Sequence, residues 1–117
     1  VASQRADGMS EQIDIFKCLD FIRDNAAKYA QAKANRVYCE EFRKTLKSQL
    51  MKRHIDSPVT AQEREAYADE AYASHLEALQ AAVAEEERLR WLIECARLKV
   101  SVWQSLGANQ RAEAKSL

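Results

Sequence analysis

The chain has 117 residues, room for one domain, and its 47% hydrophobic and 31% charged content is ordinary for a globular protein. Only two Gly and one Pro interrupt a sequence rich in Ala, Glu, Lys, Leu, Arg and Gln, which predicts an all-α fold and leaves no glycine-rich loop to cradle phosphate. The formal net charge of zero is the sum of two opposed blocks: Lys28 to His54 carries eight cations against Glu40 and Glu41, and Ile55 to Glu94 carries ten acids against Arg64, Arg88 and Arg90.

In chain order, residues Val1 to Gly8 mix small and polar types without periodicity, so residues 1–9 read as a disordered tail and 10–117 as a single helical domain. Ser10 can cap a first helix. Apolar residues then recur at Ile15, Leu19, Ile22, Ala26, Ala30, Ala34, Tyr38, Phe42, Leu46 and Leu50, mostly four apart, and predict helix over 10–54. Asp24-Asn25 leaves open a break that would set off a short helix over 10–23.

Residues 55–59 hold the clear turn, because Pro58 lacks an amide proton and disfavours helix in the residue before it. Thr60, three residues before Glu63, fits a capping box that opens a second helical region over 60–106, with an irregularity at Asp69. A polar tail over 107–117 is expected to follow. The stripe of the second region, Leu76, Leu79, Val83, Glu86, Leu89, Ile93, Ala96, Val100 and Trp103, alternates threes and fours as coiled-coil packing requires. Glu86 is its one polar member and is expected to set register or oligomer size.

Trp91, Cys95, Leu98 and Val102 lie on roughly the other side of the same helix, and Trp103 extends the apolar surface. A single antiparallel partner cannot cover two sides of one helix. At 1.5 Å per residue a helix of about 40 residues is on the order of 60 Å long. These features predict an elongated helical hairpin of long amphipathic helices that completes its core by oligomerisation; a bent chain in a compact bundle is the alternative.

Cys18, Cys39 and Cys95 are odd in number and widely spaced, which fits reduced, buried thiols rather than a disulfide framework. No leader-like segment opens the sequence and no run of about 18 apolar residues could span a membrane, so a cytoplasmic protein without membrane partners is expected. His54 and His75 are the only imidazoles and neither lies in a catalytic motif. No cysteine pair has zinc spacing, and Glu85, Glu86 and Glu87, pointing about 100° apart on a helix, cannot converge on one ion. The chain therefore reads as a non-enzyme with no cofactor and no metal.

On a helical wheel Arg36, Arg43, Lys47 and His54 share one line, with Lys33 and Tyr29 close to it, and this line is expected to be an exposed cationic face. With Lys44, Lys52 and Arg53 it offers what single-stranded nucleic acid needs, cations along a phosphate backbone and an aromatic ring for stacking. Pairing of that face with the acidic second helix is the internal alternative. A protein-binding adaptor or inhibitor that uses the acidic helix, or a phage structural assembly subunit, are the rival functions.

The order of these parts resembles the UvsY-like recombination mediators of phages. The likeness comprises the amphipathic helix Ala32 to Phe42, the basic end Lys44 to Arg53, a short loop, the Tyr-containing acidic start Arg64 to Tyr72, and a long helix with Arg90-Trp91 and a polar finish from Ser105 to Arg111. The resemblance implies a non-enzymatic, all-α, ring-forming homo-oligomer. Such a protein binds single-stranded DNA and helps load a recombinase in the presence of single-strand-binding protein, in the host-cell cytoplasm. It also implies that Lys52 and Arg53, which match the family's basic pair, contact DNA.

Overall fold

The structure, a computed structural model, describes residues 13–116. These form an all-α helical hairpin of α1 (Ile15–Lys52), α2 (Val59–Ala68) and α3 (Glu70–Ser116). Two compact units divide it. One takes the described residues up to Ala26 together with those from Trp91 onward, and the other is Ala27–Arg90.

Asp14 opens α1: its Oδ1 accepts the backbone N–H of Lys17 at 3.1 Å and its carbonyl accepts that of Cys18 at 3.2 Å. Ser10 and the tail expected over residues 1–9 lie outside the described residues. Asp24-Asn25 does not break the helix. Asn25 Nδ2 donates to the Phe21 carbonyl one turn back at 2.8 Å, so its amide bonds back onto the helix instead of ending it.

The inward side of α1 is Ile15, Cys18, Ile22, Asn25, Tyr29, Ala32, Arg36, Cys39, Phe42, Leu46 and Leu50. This row mixes threes and fours. A row at constant spacing of four drifts by about 40° per step, at 100° per residue, so the expected Ala26, Ala30, Ala34 and Tyr38 rotate out to solvent. On α3 the inward row is Tyr72, His75, Leu79, Ala82, Glu86, Leu89, Ile93, Ala96 and Val100. It agrees with the expected stripe from Glu86 to Val100. His75 and Ala82 replace Leu76 and Val83, and Trp103 is exposed.

The turn after α1 is a run of tight backbone bonds, Arg53 to Leu50, His54 to Met51 and Ser57 to His54. No capping box forms at Thr60. Pro58, extended at φ −58° and ψ 154°, is the N-cap of α2 and no side chain caps it. The cap thus falls two residues earlier than expected, leaving Thr60 inside the helix. Gln62 closes the turn by donating to the Ser57 carbonyl at 2.8 Å. The irregularity expected at Asp69 is the joint between α2 and α3: Asp69 has an extended backbone, and its Oδ1 accepts the Ala71 N–H at 2.8 Å. Past Leu106 the helix does not give way to a tail, because Gly107 keeps a negative φ and α3 runs on to Ser116.

Candidate nucleic-acid interface

The sequence places its cations on α1, and the structure sorts them into two sets. Arg36 belongs to the inward row. Its guanidinium donates to both carboxylate oxygens of Glu86, Nε to Oε2 at 2.5 Å and Nη2 to Oε1 at 3.1 Å, and to Glu40 at 3.0 Å. The hydrogen bonds to Glu86 and then Glu40 raise the Arg36 pKa further above its ordinary value, and those from Arg36 lower that of Glu86. Lys47 is half-buried between α1 and α2, with Nζ 3.6 Å from Glu63 Oε1 and 4.9 Å from the Tyr67 ring centroid. Its pKa is raised, chiefly by the Tyr67 side chain and also by Glu63. Arg53, in the turn, reaches Asp69 at 3.4 Å.

Of the expected exposed line, Arg36 and Lys47 therefore turn inward and are held by acids of the second half of the chain, while Arg43 is exposed as expected. The physical reason is the heptad drift: the inward row passes through Arg36, which has the reach and the fork geometry to meet Glu86. Tyr29 lies in the same row, half-buried, rather than offering a ring to solvent.

The second set comprises Lys33, Arg43, Lys44 and Lys52, together with Lys28. All five are exposed and make no ion pair among the described residues. Two exposed rings lie in the same unit. Tyr38, 66% exposed, stacks on Phe42 at 5.8 Å, and Tyr67, 51% exposed, is fixed by Lys47 and by an edge contact with Tyr72 at 5.1 Å. The sequence reading missed both rings and Lys28. For Lys28 and Tyr38 the signal was the exposed side of α1, which only a correct inward row could reveal, whereas Tyr67 lies on α2.

Three acids of α3 pair with arginines on their own helix. Glu85 pairs with Arg88 and Glu87 with Arg90, both at 2.7 Å, and Glu94 with Arg97 at 3.3 Å. The Arg88 hydrogen bonds lower the Glu85 pKa and those from Glu85 raise that of Arg88. Three residues apart is the geometry in which helical side chains meet. His75 is half-buried, with Nε2 2.6 Å from the Cys39 carbonyl and its ring against Phe42.

Among the described residues no group of three or more His, Cys, Asp or Glu is placed to hold a metal ion, and no helix is long and apolar enough to cross a membrane. No protein family, curated protein or solved structure matches the chain.

Proposed function

We propose that this chain is a non-enzymatic single-stranded-DNA-binding protein, a recombination accessory of phage type, whose DNA contact is the exposed cation set of α1. The observation that carries the reading is the group of exposed cations on α1. Lys28, Lys33, Arg43, Lys44 and Lys52 are exposed and make no ion pair among the described residues, whereas Arg36 and Lys47 are held by Glu86 and Glu63. Cations gathered along one helix carry a positive local field on a chain of zero net charge.

Tyr67 and Tyr38 supply exposed rings on which bases can stack without reading sequence. Arg53 and Lys47 keep acid partners and act first as scaffold, so Arg43, Lys44 and Lys52 carry most of the phosphate contact. The resemblance to phage recombination mediators supports placing the activity beside a recombinase and a single-strand-binding protein in the host cytoplasm. Fluorescence anisotropy with labelled oligonucleotides of unrelated sequence tests the reading. Similar affinities that fall steeply with salt are expected; absence of salt-sensitive binding at low ionic strength contradicts it and returns the basic block to a purely internal role.

A further inference from the structure

The unit that contains the start of α1 and the second half of α3 holds a cavity of about 270 Å³. Its lining is apolar at Phe21, Leu92 and Ala96, carries the thiols of Cys18 and Cys95, and includes one ammonium from each helix, Lys17 on α1 and Lys99 on α3. No carboxylate is among these lining residues. Cys18 and Ala96 are buried and form the floor, whereas Lys17, Cys95 and Lys99 are exposed at the rim. Cys95, expected to be buried, is exposed because it stands beside the inward row of α3 rather than in it.

The two ammoniums are not equivalent. On α1, Lys17 and Arg23 balance Asp20 and Asp24, with Arg23 at 3.4 Å from the first acid and 3.2 Å from the second. On α3, Glu94 pairs with Arg97 at 3.3 Å, and the residues one turn from Lys99, namely Cys95, Ala96, Val102 and Trp103, bear no charge. Lys99 makes no ion pair among the described residues, so the cavity carries one uncompensated positive charge beside an apolar floor. Small-molecule sites share this pattern, in which the apolar lining supplies affinity and a few polar groups fix orientation. The volume corresponds to about nine water-sized groups at roughly 30 Å³ each, room for a chain of about eight carbons.

We infer that this cavity binds a medium-chain fatty carboxylate, with the alkyl chain against Phe21, Leu92 and Ala96 and the carboxylate beside Lys99. A head without a chain gains nothing from the lining, and a chain without a charge leaves the ammonium unused; the ligand needs both. The Lys99 stem lies along the apolar lining while its ammonium donates a charge-assisted hydrogen bond to the head. The cations proposed to hold DNA lie in the other unit, so this inference stands or falls apart from DNA binding.

Titration calorimetry of the full chain with sodium octanoate, below its micelle-forming range, tests the inference beside hexanoate, acetate and 1-octanol. Saturable binding of octanoate is expected, with affinity rising about fourfold for each methylene added from hexanoate. 1-Octanol should bind about tenfold more weakly, and acetate should give no saturable heat. Lys99→Glu, with helicity checked by circular dichroism, should lower octanoate affinity at least about tenfold. Cys95 reports the place in the wild-type chain: octanoate at about ten times its Kd should slow alkylation of Cys95 about tenfold and leave Cys39, outside the cavity, unchanged. Absence of saturable octanoate binding, equal affinity for octanoate and 1-octanol, or a folded Lys99→Glu that binds like wild type overturns the inference. Cys95 alkylation that octanoate does not slow also overturns it, by placing the ligand elsewhere.

Discussion

Arg36 and Glu86, fifty residues apart in sequence, meet through two hydrogen bonds in the inward rows of α1 and α3, where Glu86 is 7% exposed. Glu40 completes the shell around the guanidinium. A charged pair in this position is expected to fix register, because sliding either helix by one turn would separate the two groups.

The first prediction follows from that pair. Removing one partner strands the other, so Glu86→Leu and Arg36→Leu are each expected to lower Tm by about 5–10 °C, whereas the double variant regains wild-type Tm or exceeds it. Replacing both charges also removes the register signal. The double variant should therefore unfold less cooperatively or populate several sizes, as read by calorimetry and light scattering. Additive losses in the double variant would show that the pair is not coupled.

pH dependence is the second prediction. The Arg36 hydrogen bonds hold the Glu86 carboxyl below its ordinary 4.5, helped by the nearby Arg36, Lys33 and Arg90 charges against the cost of burial. A pKa lower in the folded state than in the unfolded one adds stability above the ordinary value, and that stability is lost as pH falls through the folded value. Tm should therefore drop on acidification from about pH 5 to pH 3, and drop less in Arg36→Leu/Glu86→Leu. An equal drop in both proteins would assign acid sensitivity to other carboxylates, Glu85 being the first candidate since Arg88 lowers its pKa too.

A third prediction separates the aromatic rings. Tyr67 is exposed beside Lys47, so Tyr67→Ala should weaken oligonucleotide binding about tenfold, within the range of a lost base stack, and leave the salt dependence unchanged. Tyr29→Ala acts in the inward row and should lower Tm with little effect on the affinity of the folded protein. The opposite pattern, Tyr29 governing affinity and Tyr67 inert, would return the stacking role to the ring first suggested by the sequence.

The fold class was legible because helix formers fill the chain and breakers are few, and the turn at Pro58 and the joint at Asp69 each have one residue whose backbone chemistry announces them. The inward row of α3 was legible from Glu86 to Val100 because large apolar residues mark it at spacings of three and four. The row of α1 was not. Its inward positions include Cys18, Asn25, Tyr29, Ala32, Arg36 and Cys39, small or polar types that carry little hydropathy signal, while the exposed alanines at a spacing of four imitate a stripe. Once that row was misplaced, Arg36 and Lys47 counted as exposed cations rather than as partners of Glu86 and Glu63, while Lys33, Arg43, Lys44 and Lys52 are exposed as expected. Side-chain pairing between distant segments leaves no local trace in one sequence, although Glu86 inside an apolar stripe was a signal that a cation must face it.

The most direct test of the account is the salt dependence of single-stranded oligonucleotide binding by wild type and by the charge-reversal variant Arg43→Glu/Lys44→Glu/Lys52→Glu. Each neutralised phosphate contributes about −0.7 to the slope of log K against log salt on a single strand. The account predicts a steep slope for wild type, a slope about 2 units shallower with greatly weakened affinity for the variant, and the same loss for every sequence, since phosphate contacts read no bases. Equal affinities and slopes for the two proteins, with both folded, would contradict it.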